Sequence, residues 1–309
     1  MKATSLYIIF MLFFLTLGTI LIGTEHHVET TNCLTYRTYE NLILDYAPAP
    51  PVPEDPRYRY RPIIGGLRME FYYPENPPYL WSRWACTIGV PAYYRTCDHC
   101  PAFWGFITAG HCLVRKDLSV YQNDSRVSED LIGYTRLSST YIDRRTDSAF
   151  VIIEITDNEN IWPSAERLLP RIWHQGSYVF ITDVLTDPWN TINQKVYITG
   201  QSSQTIEALI ELVDFMCIEH EDGSIWCGLY MVLDSEAPFL GGDSGAPVYR
   251  TIGGPYAQIY GIMSAHDRQD QYTGYANFIG DILEWLPQSE DQQGSLNVFV
   301  CPNPYGNPC

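Results

Sequence analysis

From Phe71 to Ser264 the chain repeats one pattern: a short run rich in Val, Ile, Tyr, Phe, Trp and Thr, then a cluster of Pro, Gly, Asn or Asp. β-Branched and aromatic side chains suit a pleated, half-buried surface, and the punctuating residues supply turns. The runs Phe71-Tyr72-Tyr73, Cys86 to Val90, Trp104 to Thr108, Leu131 to Tyr134 and Ala149 to Ile155 predict one antiparallel barrel over residues 63–165. The runs Ser177 to Thr182, Lys195 to Thr199, Ile206 to Met216, Trp226 to Leu233, Ala246 to Tyr249 and Ile259 to Ser264 predict a second over 166–288. Asp222-Gly223 reads as a hairpin tip. Ile279 to Leu286 has helical apolar spacing, and 289–309 reads as a tail. The expected class is therefore all-β with a C-terminal helix.

The N-terminus stands apart from this pattern. Leu6 through Ile22 is an apolar run behind Met1-Lys2, so residues 1–24 read as a signal peptide. The run approaches membrane-spanning length, and an uncleaved signal anchor holding the protein at a membrane through residues 6–22 is the alternative. Either reading exports the rest of the chain. Residues 25–62 include the proline-rich Ala47 to Pro56 and read as a pro-segment or linker, or else as a strap lying on the domain. The formal net charge of −17 argues against a nucleic-acid partner, because phosphate binding needs clustered Lys and Arg and only Arg57 to Arg61 is basic.

Three segments carry chemistry. Gly241-Gly242-Asp243-Ser244-Gly245-Ala246-Pro247 sets a serine on a glycine-rich turn, where the N–H groups of Gly242 and Ser244 can converge on a developing oxyanion. Thr108-Ala109-Gly110-His111-Cys112 offers the base that a weak serine nucleophile needs. Asp147, heading the apolar run Ala149 to Ile153, offers the carboxylate that orients such a base. Asp143 is the nearby rival, but it lies outside the apolar run and is followed by Arg144-Arg145. By itself, Gly-Asp-Ser-Gly is equally the composition of an ordinary turn.

The order His, Asp, Ser and the motifs Thr-Ala-Gly-His-Cys and Gly-Asp-Ser-Gly resemble the chymotrypsin-fold serine proteases. Cys86-Thr87-Ile88-Gly89 and Gly200-Gln201-Ser202-Ser203 are similar to the compact bacterial and archaeal, streptogrisin-like branch. The resemblance spans residues 63–288. It implies two antiparallel six-stranded β-barrels with a C-terminal helix, and a secreted endopeptidase acting on proteins or peptides. His111, Asp147 and Ser244 would be the triad, with Gly242 and Ser244 forming the oxyanion hole. Ser264 would buttress the aspartate, and Ser264, Ala265 and His266 would border the substrate. That chemistry calls for no metal or organic cofactor. Arg61-Pro62-Ile63-Ile64 resembles a zymogen activation junction, but the bond after an arginine that precedes proline resists trypsin-like cleavage. Asp243 is therefore expected to be held by an internal partner such as an arginine rather than by a new N-terminus.

Nine cysteines in an exported chain point to disulfides, with one left over. The resemblance implies Cys86 with Cys112. Cys97 with Cys100 is a local pair, unless one of the two takes Cys112. Cys217 with Cys227 would close the Asp222-Gly223 hairpin, and Cys301 with Cys309 the tail, leaving Cys33. Zinc competes, since Cys97, His99, Cys100, His111 and Cys112 have suitable ligand types.

Substrate preference is less constrained. The region before Ser244 reads Ala237-Pro238-Phe239-Leu240, without the acid that trypsin-like enzymes place there, although Asp234 and Glu236 lie near. The expectation is an apolar or aromatic residue before the scissile bond, with glutamate through His266 as the alternative. His26, His27, His174 and His220 read as surface residues, and Asn123-Asp124-Ser125 as a glycosylation sequon. Two other classes fit the same residues: a silent protease homologue used as an extracellular binding module, and an esterase-like hydrolase.

Overall fold

The computed structural model describes residues 54–57, 59–73, 82–122, 130–139, 145–153, 168–219, 225–290 and 294–301. The apolar run 6–22, Cys33, the sequon at Asn123, Asp143, the 221–224 hairpin tip, Cys309, His26, His27 and His220 lie outside these. Among the described residues no helix is long and apolar enough to cross a membrane.

The described residues form two sheets. The first contains β2 (Arg68–Tyr73), β3 (Ser82–Thr87), β4 (Val90–Arg95), β5 (Phe103–Thr108), β6 (Ser119–Tyr121), β7 (Leu131–Ser138), β8 (Ala149–Ile153) and β17 (Ser295–Val298). Its order is β17-β4-β5-β8-β7-β6-β2-β3. The second contains β1 (Ile63–Gly65), β9 (Leu168–His174), β10 (Ser177–Val184), β11 (Lys195–Gly200), β12 (Gln204–Glu219), β13 (Ile225–Ser235), β14 (Pro247–Thr251), β15 (Tyr256–His266) and β16 (Thr273–Phe278). Its order is β1-β9-β10-β15-β14-β11-β12-β13-β16, and β15 also pairs with β16. The six strands β11 to β16 thus form a ring of ladders, to which the β9–β10 hairpin adds through a parallel pairing of β10 with β15. Helix α1 (Ile279–Trp285) follows.

Burial explains why these segments settle as strands. β8 is apolar along its length because both of its faces are covered. Ala149, Val151 and Ile153 enter one core, while Phe150 enters another with Tyr94, Ile107, Tyr249, Ile262 and the helix residues Ile279 and Ile282. That second core draws side chains from both sheets and from α1, so it joins them. Strands with one wet face alternate instead. β12 buries Ile206, Ala208 and Ile210, then shifts register between Ile210 and Leu212 and buries Val213. The shift is a β-bulge, which returns an apolar residue to the inner face after an extra one is inserted.

Two features differ from the sequence expectation. Residues 295–298 of the supposed tail pair with β4, from Ser295 opposite Arg95 to Val298 opposite Ala92. Four residues carry too little periodicity to announce a strand whose partner lies two hundred positions earlier. Ile63 starts a strand parallel to β9 in the second sheet, rather than opening the first barrel. Residues 59–61, at the end of the segment read as a linker or a strap, are docked: Tyr60 is buried, its N–H donates to Gln122 Oε1 (3.0 Å), and Arg59 pairs with Asp130 (3.3 Å).

Candidate active site

Pairing of β5 with β8 aligns Thr108 with Ala149, so the residues just past the end of one strand face those just before the other. This places His111 beside Asp147. The Asp147 carboxylate is fully buried and accepts from His111 N–H through Oδ1 (2.7 Å) and from the ring Nδ1 through Oδ2 (2.7 Å). It also accepts from Ser264 Oγ at 2.5 Å, while its own N–H donates to Asn277 Oδ1 at 3.0 Å. An ionised carboxylate only accepts, so the ring proton sits on Nδ1 and Nε2 is the acceptor nitrogen. The His111 side chain is 24% exposed and thus reachable from solvent. Tyr230 lies against this group. Burial and the Asp147 charge push its phenol pKa up, and its hydroxyl lies near Asn277 and Ser264 without reaching hydrogen-bond geometry.

Ser244 lies on the turn between β13 and β14. Gly242 and Gly245 there have φ of +100° and +89°, the left-handed region that side chains disfavour. A Cβ on Gly245 would stand 2.1 Å from Thr108 Oγ1. The turn is clamped from the first sheet by Thr87, whose N–H donates to Ser244 O (2.8 Å) and whose hydroxyl donates to Gly242 O (2.9 Å). Ser244 Oγ donates to the Ser264 carbonyl at 3.5 Å. Ser264 falls where the β15–β16 register shifts between Met263 and Ala265, which frees its carbonyl from the ladder. One residue thereby touches both halves of the site: its carbonyl meets Ser244 and its hydroxyl meets Asp147. The amides of Gly242 and Ser244 donate to no acceptor among the described residues.

Asp243 is buried, and no arginine among the described residues meets it. Oδ1 accepts the N–H groups of Ser202 (3.0 Å) and Ser203 (3.1 Å), and Oδ2 accepts that of Leu240 (2.9 Å). Backbone amides satisfy the carboxylate, so the expected side-chain counter-ion is replaced. Ile63 meanwhile is a fully buried residue of β1.

Beside the turn, His266 pairs with Gly274 and Ala265 with Tyr275 across β15–β16. Ala265 and His266 are half-buried. Phe239 is fully buried under this pair: a Cβ on Gly274 would lie 2.6 Å from its ring and 2.7 Å from Met263 Cε. Asp234 and Glu236 are exposed. Asp267, after His266, has its pKa lowered by the N–H groups of Gln269 and Asp270.

Disulfides join Cys86 to Cys112, Cys97 to Cys100 and Cys217 to Cys227, the last directly across the β12–β13 ladder. Cys301 is also disulfide-bonded. Zinc is thereby displaced. Cys86, His111 and Cys112 cluster within 4.8 Å, but two sulfurs bonded to each other are not thiolate ligands. His174 is not a free surface residue, since Nδ1 meets Tyr249 Oη at 2.7 Å. Thr87, Ser202, Tyr230 and Asn277 escaped the sequence reading. Only Thr87 and Ser202 lay in quoted motifs, and neither bears a chemistry that singles it out.

No protein-family model matches the chain, and no curated protein sequence does. Among solved structures it is similar to a glutamic acid-specific serine protease described as using a histidine triad in substrate binding. That match has 18% identity and a TM-score of 0.50, and covers 77% of this chain and 100% of the other. It is also similar to a Nocardiopsis protease (20% identity, TM-score 0.49, 76% of this chain and 99% of the other). Thermobifida fusca protease A gives 20% identity and a TM-score of 0.48, over 77% and 99% of the two chains. The strand ring β11 to β16, the eight-stranded partner sheet packed on it through a shared core, and the likeness at 0.50 make this an all-β chain of the chymotrypsin-type serine-protease fold.

Proposed function

We propose that the protein is a serine endopeptidase that cleaves peptide bonds through an acyl-enzyme. The observation carrying this reading is the linked set Ser244–Ser264–Asp147–His111, with the amides of Gly242 and Ser244 having no acceptor among the described residues. Ser244 Oγ attacks the peptide carbonyl while His111 Nε2 takes its proton. Asp147 holds the ring and offsets the positive charge it gains. The N–H groups of Gly242 and Ser244 receive the negative oxygen of the tetrahedral intermediate. His111 then gives its proton to the leaving amine, the C–N bond breaks, and water repeats the sequence on the ester. In the attack step the Ser244 proton turns from the Ser264 carbonyl, its acceptor at 3.5 Å, to His111 Nε2, the kind of realignment that catalytic hydrogen bonds undergo when substrate is bound.

Phe239 and Met263 beside Gly274 favour an uncharged and small residue before the scissile bond, because the ring occupies the space next to the strand edge Ser264–His266. A glutamate preference would have to rest on His266, the only histidine on β15 or β16. Disulfides in the catalytic half and the hairpin support an exported, oxidising location. The test is labelling by a fluorophosphonate probe, with Ser244→Ala alongside. Labelling of the wild type alone is the expected result. A folded wild-type protein that does not label would refute the reading and favour the binding-module alternative. Turnover of esters but not amides would favour the esterase.

A further inference from the structure

We propose that Ser202 is a positioning residue for the oxyanion site: its hydroxyl holds the Gly241 carbonyl and so aims the Gly242 N–H at the reacting oxygen. The inference rests on the peptidase reading above and concerns what keeps that site assembled.

In a planar trans peptide the C=O and N–H point in opposite directions, so anchoring one end sets the other. The two candidate oxyanion donors belong to the peptides 241–242 and 243–244. Each is anchored at its carbonyl: Gly241 O accepts from Ser202 Oγ at 2.7 Å, and Asp243 O accepts from Ala246 N at 2.9 Å. The second anchor is backbone and survives any side-chain change. The first is a single hydroxyl.

The 241–242 peptide needs that anchor. It sits between two glycines, Gly241 is exposed with nothing within 4 Å of a would-be Cβ, and Gly242 has φ +100°. Torsions beside glycine are soft, so this peptide can turn over at small cost. Turned over, it would present the Gly241 oxygen to the site instead of the Gly242 N–H, and a carbonyl repels an oxyanion.

Ser202 is itself held for the task. Its N–H is fixed on Asp243 Oδ1, and its Oγ accepts from Gln201 Nε2 at 2.7 Å. A hydroxyl has one proton, so accepting from Gln201 leaves that proton for Gly241 O. Gln201 Oε1 in turn meets Arg68 Nη1 at 3.4 Å, and Arg68 pairs at 2.6 Å with the buried Glu70. Gln201 Nε2 and Ser202 Oγ also stand 1.9 and 2.8 Å from where a Gly242 Cβ would be, so they form the wall on which this glycine rests.

The experiment compares wild type, Ser202→Ala and Ser202→Thr in hydrolysis of one peptide amide and in affinity for a peptidyl trifluoromethyl ketone. Removing one oxyanion donor outright costs about a hundred- to a thousandfold in kcat, and loosening it should cost less. The alanine variant is expected to lose about ten- to a hundredfold in kcat with KM within about twofold. Ketone affinity should fall in parallel, and threonine should restore most of both. A loss of folded protein would lower apparent kcat at unchanged KM but would leave ketone affinity unchanged, so the parallel fall in ketone affinity separates the two. An alanine variant with unchanged kcat would overturn the proposal, as would equal losses in alanine and threonine. If wild type neither labels nor hydrolyses, the peptidase reading fails, and a crystal structure of Ser202→Ala still decides the latch. A reoriented 241–242 peptide would support it, and an unmoved Gly241 carbonyl would overturn it.

Discussion

Asp147→Asn tests the proposed mechanism at its most buried point. In the structure the carboxylate accepts from His111 N–H, His111 Nδ1–H and Ser264 O–H. Asparagine is nearly the same size but has one acceptor oxygen and one NH2. If its oxygen keeps the backbone N–H, its NH2 faces both the ring Nδ1 and the Ser264 hydroxyl. His111 must then move its proton to Nε2, where it can no longer accept from Ser244. Two hydrogen bonds to a charged group are lost, each worth about 1.5–3 kcal/mol, so the expected deficit is about 3–6 kcal/mol. A ten-thousandfold drop in kcat, the size seen when a triad carboxylate is neutralised elsewhere, is about 5 kcal/mol and falls inside that range. The assay is kcat on a chromogenic peptide at neutral pH, with circular dichroism to confirm that the variant is folded. A folded variant losing less than about tenfold would mean that Asp147 does not set the tautomer of His111, and the mechanism would have to be redrawn.

Two further outcomes follow from particular contacts. Phe239→Ala should destabilise the fold by about 3–5 kcal/mol, since a fully buried ring leaves a cavity. In a peptide library it should also raise the Phe-to-Ala ratio of kcat/KM before the scissile bond by at least about tenfold, and an unchanged ratio would remove Phe239 from the specificity site. Burial lowers the pKa of His174, so its folded-state value lies below its unfolded one. The unfolded chain then binds the proton first as pH falls, and stability present above about pH 6.5 is lost progressively below it. His174→Gln should flatten that part of a urea-melt series against pH, and an unaltered slope would assign the acid sensitivity to other groups.

The alternation of apolar runs and turn residues was enough to read an all-β chain, because strand formation responds to local side-chain shape. Helix α1 was legible from its spacing for the same reason. His111, Asp147 and Ser244 could be picked out because their chemistry is rare in such order. The partners that hold them were not legible. Thr87 clamps Gly242 across 155 positions, Asn277 meets Asp147 across 130, and Ser202 meets the 241–243 turn across about 40. Asp243 looked as though it needed a cation and is satisfied by three amides, which every residue but proline possesses and which leave no mark in a sequence. β17 and β1 found their places only through sheets already formed by distant strands. Side-chain identity and local periodicity thus singled out the proposed reacting groups and the class of the elements. Tertiary structure alone decided which backbone N–H and C=O groups aim them, since that depends on where the folded chain brings its peptides together.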